Sequence, residues 1–488
     1  MTTETPVRDA VGQQPRTDLP LAVDMDGTLL KTDSLHEGLV RLVLRDWASL
    51  FRLPGWLLRG RAYFKRQIAT RAAPDPKLLC YNERLVAYLS DQRRRGRKLV
   101  LATAADRSIA ESVARHIGLF DEVLASDGTR NLRGKTKADA LVQRFGQGKF
   151  AYAGNDSTDL PVWRVAGAAV VVSASNGVRR AAAAATQVES EIPGTRSQVS
   201  AFLKAIRSYQ WMKNLLVFVP IVTAHATGEL DAWTHAGLLF FGFCLVASAI
   251  YLINDITDIE ADRQHPRKSK RPFASGDLPI ITGLALAPVM FAAGLVLGWF
   301  SGAVWVLLIY TAISLAYTVK LKEMPLIDVF ALASLYTVRL FGGGEAAGHR
   351  VSLWLLGFSS FLFLSLAFVK RVAELRRLGE QDAKRTTRRE YYVEDLRILE
   401  TMGCAASFVS AMVLALYVQS DAVSRVYKHP EALWAIVPLM LFWQCRLWLS
   451  TARGYMLDDP IVYAGRDWVS WAVGASLLAI LLLARAGI

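Results

Sequence analysis

Nine apolar segments in the second part of the chain constrain its fold more than any other feature of the sequence. Most of them approach the roughly 20 residues that a helix needs to cross the hydrocarbon core of a bilayer. They begin after residue 211, whereas residues 1–200 have the mixed composition of a soluble domain. We therefore predict a soluble domain followed by an all-α bundle of about nine transmembrane helices, formed by residues 212–227, 233–254, 280–300, 302–319, 325–343, 352–370, 402–420, 432–450 and 467–486.

The net charge of +14 is distributed unevenly over this pattern. In a membrane protein such an excess usually reflects basic cytoplasmic loops, and lysine and arginine concentrate here in the loops that follow even-numbered segments. The positive-inside rule therefore predicts a protein of the cytoplasmic membrane with its N-terminus in the cytoplasm and its C-terminus outside. The soluble part has no aromatic-interleaved basic patch, so we expect no nucleic-acid partner.

Two carboxylates follow the first predicted strand of the soluble part. Residues 19–23 are apolar and lead directly into Asp24-Met25-Asp26-Gly27-Thr28. Ligands of open α/β sheets bind at the carboxyl ends of strands. Asp24 in this position suits a nucleophile toward phosphate, and Asp26 suits a proton donor that later acts as a base toward water.

Three later stretches offer further groups that suit phosphate and Mg²⁺. A second apolar strand ends at Thr103, which supplies a hydroxyl, and residues 131–137 supply Lys135 and Lys137. A third strand, residues 150–153, ends in Gly154-Asn155-Asp156-Ser157-Thr158-Asp159, which supplies acids. Carboxylate oxygens are the ligands that Mg²⁺ prefers in proteins.

With these motifs in this order, residues 19–190 resemble the haloacid dehalogenase superfamily of phosphotransferases. The resemblance implies a Rossmann-like α/β fold with a helical cap at about residues 33–95 and an aspartyl-phosphate mechanism. It also implies that Asp24 is the nucleophile and Asp26 the acid/base. Thr103 and Lys137 would then bind phosphate, and Asp159 would bind Mg²⁺ together with Asp24 and Asp26. Lys135 is the alternative lysine. Asn155 replaces the usual first acid of the last motif, so either Asn155 or Asp156 takes its place.

The remaining boundaries follow from composition. Residues 1–18 are polar and lack an apolar run, which predicts a disordered tail. Residues 191–206 contain Pro193-Gly194 and an amphipathic run, which predicts a linker and a helix at the membrane surface. The membrane domain is then residues 207–488.

An acidic stretch, Asn254 to Asp262, follows the second apolar segment, and we call it the Asp-rich motif. Asp255, Asp258 and Asp262 are spaced so that a helix presents all three carboxylates on one face. Such a face repels itself unless a cation is bound, and Mg²⁺ usually binds together with substrate phosphates. The basic residues that follow suit phosphate oxygens; they are Arg267, Lys268, Lys270 and Arg271.

This motif, continued by His265-Pro266 and by Lys268, Arg271 and Pro272, makes residues 205–487 resemble the UbiA superfamily of membrane transferases. The resemblance implies a helical bundle with a cavity open to lipid. It also implies that a prenyl group moves from a magnesium-bound prenyl diphosphate to an acceptor.

The second acidic motif of that superfamily is degraded here. Only Asp328 remains at the corresponding turn, where lysines stand instead, and Arg339 lies inside an apolar segment and therefore needs a partner. With the patterns at 210–214, 317–322, 370–375 and 458–460, the chain is similar to the decaprenyl-phosphate phosphoribosyltransferase branch. That branch implies phosphoribosyl diphosphate as donor and polyprenyl phosphate as acceptor, with Asp255 and Asp258 catalytic and substrate contacts at Gln210, Lys213, Asn214, Asn254, Lys268, Arg271, Tyr317, Lys320 and Lys322.

The fusion of two phosphate-handling domains suggests the hypothesis that the soluble domain removes the 5-phosphate of the lipid product. One alternative is an aromatic prenyltransferase that uses a prenyl diphosphate to make a quinone or haem precursor. Another is a transporter or scaffold with an inert bundle.

Overall fold

The computed structural model describes residues 18–194, 198–379, 390–424, 427–456 and 459–486. The predicted tail, except its last residue, and the acid Asp458 lie outside this part. The chain divides into two compact units, the first formed by Met1–Ile206 with Leu252–Leu286 and the second by Arg207–Tyr251 with Ala287–Ile488. We call Leu252–Leu286, which contains the Asp-rich motif, the returning segment. It groups with the soluble part of the chain rather than with the membrane part that flanks it.

A parallel sheet of six strands in the order β3-β2-β1-β4-β5-β6 forms the centre of the first unit. The strands are uniformly apolar where helices cover both faces, as in Ala168–Val172. The strand order reverses between β1 and β4, which is where ligands of such sheets bind. The predicted Rossmann-like fold is confirmed, with strands β1 Leu21–Val23, β2 Leu99–Asp106, β3 Glu122–Ser126, β4 Ala151–Gly154, β5 Ala168–Val172 and β6 Val188–Ile192.

Four helices between β1 and β2 lie within the predicted helical cap; the first three share a small core around Leu42, Trp56 and Ile68, whereas the fourth packs into the core of the sheet through Leu85 and Leu89. Five further helices complete the soluble part of the first unit. In chain order these helices are α1 Ser34–Arg45, α2 Leu53–Leu58, α3 Arg61–Ala72, α4 Glu83–Arg94, α5 Arg107–Ile117, α6 Lys135–Phe145, α7 Leu160–Trp163, α8 Asn176–Ala185 and α9 Gln198–Ala205.

Buried ion pairs connect distant parts of the first unit. The Arg97 guanidinium donates to both carboxylate oxygens of Glu189 on β6, at 2.5 and 2.9 Å, and to the carbonyl of Leu19 at 2.8 Å. Arg97 and Glu189 are 0% and 4% exposed. Each charge is therefore compensated only by its partner and by the hydrogen bonds around it.

The returning segment packs directly on the cap. It carries the end of α11 Leu230–Thr257, the short helix α12 Ile259–Arg263 and the start of α13 Ile280–Phe300. Arg263 donates to both oxygens of Glu37 on α1, at 2.7 and 2.9 Å, and to the carbonyl of Leu78. The Arg263 and Glu37 side chains are 8% and 6% exposed, so this ion pair is part of the interior of the first unit.

The second unit is almost entirely helical. A 3-10 helix, Ser208–Phe218, opens it, and Gly343 lets a later helix approach closely, because a Cβ there would lie 2.0 Å from the Val217 carbonyl oxygen. Besides its parts of α11 and α13, the unit contains α10 Val219–Thr223, α14 Val304–Val319, α15 Ile327–Ala346, α16 Leu353–Gly379, α17 Leu396–Val418, α18 Asp421–Ser424, α19 Ile436–Ala452, α20 Pro460–Arg466 and α21 Trp468–Ala486.

The helical membrane domain is confirmed, but a count of nine spanning helices is not. The described part of the chain has six helices that are long and apolar enough to cross a bilayer, namely Leu230–Thr257, Ile280–Phe300, Leu353–Arg377, Val393–Val418, Pro430–Ala452 and Trp468–Arg485. Residues 212–227 fall short because they form a 3-10 helix and the five-residue α10. The helix α14 has 16 residues, and α15 contains the buried charges Asp328 and Arg339.

We predict that Glu189→Ala lowers the free energy of unfolding of the first unit by about 3–5 kcal/mol, because Arg97 stays buried without its counter-ion. Glu191→Ala is the matched control on the same strand, since Glu191 is 42% exposed and faces Arg179 at 3.3 Å. The control should change stability by less than about 0.5 kcal/mol. Pulse proteolysis of the full-length protein in urea measures both, and equal midpoints for the two variants would contradict the assignment.

Candidate functional site

A cavity of about 690 Å³ lies at the carboxyl ends of β1, β2 and β4, where the strand order reverses. The structure brings four residues that the sequence predicted for phosphate chemistry to its walls: Asp24, Asp26, Thr103 and Lys137. Lys137 rather than Lys135 reaches the cavity, because the first turn of α6 turns Lys137 inward and leaves Lys135 exposed.

Lys137 connects the two ends of the predicted phosphate site. Its ammonium donates to Asp24 Oδ1 and to the Tyr152 hydroxyl, each at 2.8 Å. The Tyr152 hydroxyl in turn donates to Asp159 Oδ1 at 2.8 Å. Lys137 is 3% exposed, so its charge acts on Asp24 with little screening by solvent.

Burial controls the protonation of the two catalytic candidates. Desolvation raises the pKa of Asp24 to about 6, although the charge of Lys137 opposes the shift. Desolvation, reinforced by the charge of Asp33, raises the pKa of Asp26 to about 8, while the backbone N–H of Ser34 donates to Asp26 Oδ1 at 2.8 Å. Asp26 therefore holds a proton near neutral pH, as a general acid must.

The predicted magnesium ligand Asp159 does not face the cavity as its motif predicts. Asp159 is 1% exposed, and its Oδ2 accepts the backbone N–H groups of Asn155 at 2.9 Å and Asp156 at 3.2 Å. Asp159 does not line the cavity, whereas Asn155 and Asp156 do. A metal-ligand role for Asp159 remains a prediction that these hydrogen bonds do not support.

The oxygens of Asp24, Asp26, Asn155 and Asp156 nevertheless form a hard donor set of the kind that Mg²⁺ takes. Within the described ranges, no three acidic, histidine or cysteine side chains converge on one point. That is compatible with Mg²⁺, which is commonly held by one or two carboxylates together with water and substrate phosphate.

A glycine is required at position 27, directly after the two catalytic acids. Its φ of +76° favours glycine, and a Cβ at this position would lie 2.5 Å from Asn155 Nδ2. Thr28 then donates to Asn155 Oδ1 at 3.1 Å. The turn after β1 and the loop after β4 are thus held together next to the nucleophile.

Sequence reasoning missed two residues that line this cavity. Lys65 extends from the cap helix α3 and donates to the Ala104 carbonyl at 2.7 Å and to Asn131 Oδ1 at 3.2 Å, and its burial lowers its pKa. Asp106 lies at the N-cap of α5. The pattern Asp106-Arg107-Ser108 could have indicated a cap, but nothing in the sequence indicates that Lys65 crosses from the cap to the sheet.

The Asp-rich motif presents two of its three acids to one cation. Arg271 Nη1 lies 3.1 Å from Asp255 Oδ1 and 2.7 Å from Asp262 Oδ2, and both carboxylates are nearly fully buried. Asp255 and Asp262 thus meet at one cation, but they lie on two helices, α11 and α12, and not on one face of a single helix as predicted. Burial raises the pKa of Asp262 although Arg271 opposes the shift.

Asp258 lies at the junction between α11 and α12, where the chain briefly leaves helical geometry. Asn254 is on the last turn of α11, and its carbonyl accepts the Asp258 N–H at 3.0 Å. Lys268 is exposed at the start of a 3-10 helix that leads to Arg271. Buried carboxylate oxygens next to the partly exposed Arg271 suit a site that binds a divalent ion and a phosphate in place of the arginine.

Two predicted substrate residues of the second unit, Lys213 and Asn214, lie in a buried polar cluster. Lys213 lies 2.5 Å from Asp459 Oδ2, and Lys370 lies 3.6 Å from the same oxygen. The Tyr336 hydroxyl donates to the Asp459 carboxylate at 3.1 Å. Two ammonium groups thus share one buried carboxylate, which leaves an excess of positive charge.

Arg339 extends this cluster and finds the partners that its apolar surroundings require. It donates to Asn214 Oδ1 at 2.7 Å and to the Tyr310 hydroxyl at 3.0 Å. Both of these partners are neutral, so neither cancels its charge. Gln210 Oε1 is buried and has no hydrogen-bond donor among the described residues. A buried acceptor of this kind is usually satisfied by a water or a ligand.

Both the membrane part and the soluble part of the chain are similar to known protein families. Residues 215–454 match the profile of the UbiA prenyltransferase family, and residues 21–164 match the profile of haloacid dehalogenase-like hydrolases. The Mycolicibacterium smegmatis decaprenyl-phosphate phosphoribosyltransferase is 37% identical over 221 residues, which are 44% of this chain and 70% of that protein. This chain belongs to the UbiA prenyltransferase family.

Two other relatives match a larger share of this chain than the phosphoribosyltransferase does. The Sinorhizobium fredii protein y4nM is 34% identical over 474 residues, which are 96% of this chain and 91% of that protein. The Azorhizobium caulinodans nodulation protein NoeC is 34% identical over 288 residues, which are 58% of this chain and 91% of that protein. This UbiA-type transferase is an integral membrane protein joined to a haloacid dehalogenase-like hydrolase domain.

At the second acidic position of this UbiA-type enzyme, the carboxylate is already paired with other side chains of the protein. Asp328 is 0% exposed, pairs with Arg371 and accepts the Tyr391 hydroxyl at 2.6 Å. Lys320 at the preceding turn is exposed and pairs with Glu323 at 3.0 Å. Lys322 is half-buried on the same turn, and Tyr317 is half-buried on α14. Phosphate-binding roles for these turn residues remain predictions.

We predict that Asp26→Asn stabilises the protein in chelator more at about pH 8 than at about pH 5. The folded pKa of Asp26 is about 8 and its reference value is 3.8, so the folded state retains a proton that the unfolded state releases. Wild-type stability therefore falls as pH rises through that window, and an asparagine removes this loss. Melting temperatures of the full-length protein measure the difference, with the exposed Asp139→Asn on α6 as control. A gain that is equal at both pH values would contradict the assignment.

Proposed function

We propose that the membrane domain transfers 5-phosphoribose from phosphoribosyl diphosphate to polyprenyl phosphate, with Mg²⁺, and that the hydrolase domain removes the 5-phosphate of the lipid product. The observation that carries the choice of donor is the fate of Asp328. Its carboxylate is committed to Arg371 and Tyr391, so it is not free to bind a second metal. The named activity of the Mycolicibacterium smegmatis relative supports the same choice.

The buried cluster around Lys213 suits a donor with an additional phosphate. Lys213, Lys370 and Arg339 bring three positive charges, and Asp459 offsets one of them. A phosphate dianion would restore neutrality, whereas the isoprenoid part of a prenyl diphosphate would leave these charges buried and uncompensated. Gln210 and Asn214 add amide groups that hydroxyls or phosphate oxygens can bond.

In the transfer step the Asp-rich motif holds the leaving group. Asp255, Asp258 and Asp262 would hold the Mg²⁺, which when bound neutralises charge on the departing diphosphate. Arg271, released from Asp255 and Asp262, and the exposed Lys268 would bind its outer oxygens. A lipid phosphate oxygen then forms the new bond to the anomeric carbon as the bond to pyrophosphate breaks.

In the hydrolytic step, Asp24 attacks phosphorus and the ester oxygen leaves with the proton of Asp26. Lys137 holds the Asp24 carboxylate at 2.8 Å and offsets phosphate charge, and Thr103 bonds a phosphate oxygen. Asp26, now ionised, removes a proton from the water that cleaves the aspartyl phosphate. Both reactions are assigned to the cytoplasmic side, on the distribution of basic loops.

We predict that Asp255→Asn lowers the rate of phosphoribosyl transfer by at least about 100-fold, the order expected when a group that stabilises developing charge is lost. Asp231→Asn, at the exposed opposite end of the same helix, should leave the rate unchanged. Purified protein in nanodiscs, with phosphoribosyl diphosphate, polyprenyl phosphate and Mg²⁺, is assayed by pyrophosphate release. Consumption of a prenyl diphosphate with inert phosphoribosyl diphosphate would select the aromatic prenyltransferase instead.

We predict that Asp24→Asn leaves transfer intact but stops at a lipid that is one phosphate heavier than the wild-type product. Without the nucleophile, the 5-phosphate ester cannot pass to the enzyme. Mass spectrometry of the extracted lipid distinguishes the two products, and Asp139→Asn on α6 is the control that should behave as wild type. The same phosphorylated lipid from wild type and variant would refute the coupling while leaving the transferase standing.

A further inference from the structure

One buried oxygen in the hydrolase cavity has no role in the chemistry described so far. Asp106 is 3% exposed and lines the cavity. Its Oδ1 caps α5 by accepting the Ser108 N–H at 3.0 Å and the Ser108 hydroxyl at 2.7 Å. Its Oδ2 is buried and has no hydrogen-bond donor within the described residues. Buried acceptors of this kind are rare unless a water or a ligand satisfies them.

The chemistry of this oxygen restricts what it can bind. A carboxylate is an acceptor only, so its partner must be an O–H or N–H donor. It cannot be the phosphate itself, which is an anion. The cavity is lined by the cations Lys31, Lys65, Arg133 and Lys137 and also by the acids Asp24, Asp26, Asp33, Asp156 and Asp277, so its lining does not select for an ammonium group. A hydroxyl on the group that bears the phosphate satisfies all these conditions.

The returning segment also contributes to the lining of the cavity, through Gly276, Asp277, Pro279, Ile280 and Ile281. Ile280 and Ile281 belong to the first turn of α13, which is one of the helices long and apolar enough to cross a bilayer. Ile281 lines the cavity and is 50% exposed, so the cavity has an accessible apolar side chain at the start of that helix.

We propose that this cavity recognises a sugar phosphate carried on a lipid, with Asp106 accepting a sugar hydroxyl and the Pro279–Ile281 wall contacting the apolar chain. The proposal rests on the proposed phosphatase activity and deepens it, because it names the residues that choose the substrate. Thr103 and Asp106 both line the cavity at the end of β2, so a ligand whose phosphate bonds the Thr103 hydroxyl occupies the same cavity as the Asp106 carboxylate. A soluble sugar phosphate would use Asp106 but gain nothing from Ile281.

Three synthetic probes test the two contacts separately in full-length protein in nanodiscs. They are para-nitrophenyl phosphate, ribose 5-phosphate and a long-chain alkyl riboside 5-phosphate. None of them requires the transferase, so failure of the proposed transfer reaction does not affect the result. We expect wild type to prefer the alkyl riboside, then ribose 5-phosphate, by kcat/KM.

Asp106→Asn keeps an N-cap side chain and removes the charge, and Asp106→Ser is a second capping variant in case the first folds poorly. Both should lower kcat/KM for the two ribose probes about 10-fold more than for para-nitrophenyl phosphate, because a hydrogen bond to a charged group is lost. An equal loss with all three probes would show a merely structural cap and would overturn the assignment of Asp106.

Ile281→Ser should lower kcat/KM for the alkyl riboside about 10-fold relative to ribose 5-phosphate, since apolar contact is lost. Val289→Ser is the matched control, because Val289 is 63% exposed on the same helix and does not line the cavity. An unchanged ratio in Ile281→Ser, or the same change in both variants, would overturn the lipid contact. If wild type hydrolyses none of the three probes, the phosphatase proposal itself fails and this inference fails with it.

Discussion

Buried carboxylates held beside cations are the interactions on which both parts of this protein depend. Lys137 holds Asp24, Arg271 joins Asp255 and Asp262, and Lys213 and Arg371 hold the acids of the second unit. Leaving any one of these charges unpaired in a low-dielectric interior would cost several kcal/mol. The proposed exchange of one partner for a metal or a phosphate concerns the pairs at Asp24 and Asp255, whereas both side chains of the Asp328–Arg371 pair are fully buried. We therefore assign the pairs at Asp24 and Asp255 to the reactions and the Asp328–Arg371 pair to the stability of the fold.

Much of the first unit could be predicted because its signals are local. Each motif after β1, β2 and β4 follows a short apolar strand, and parallel strands bring their carboxyl ends to one edge. Lys65 and Asp106 could not be predicted as cavity residues in the same way. Lys65 reaches the sheet only because the cap folds over it, and the free oxygen of Asp106 depends on which partners the other oxygen has found. Neither fact is contained in residue spacing.

In the membrane part, apolar composition predicted helices but not their number. Residues 212–227 are apolar enough for a span, yet they form a 3-10 helix whose Lys213 and Asn214 face a polar cluster. Residues 325–343 are predicted as one span although they contain Asp328 and Arg339, and in the structure both charges have partners within α15's surroundings. The degraded second acidic motif was visible in the sequence, but its pairing with Arg371 requires knowledge of which helices are neighbours.

The ion pair between Arg263 and Glu37 has a consequence for how such a fusion can evolve. Arg263 directly follows Asp262, and Glu37 lies on the helix whose first residue donates its N–H to Asp26. The soluble domain thus incorporates a stretch that is encoded in the middle of its neighbour. A gene split after codon 206 would separate Glu37 from its arginine and remove one wall of the hydrolase cavity. A soluble domain encoded alone would therefore need a replacement both for the arginine that pairs with Glu37 and for that wall.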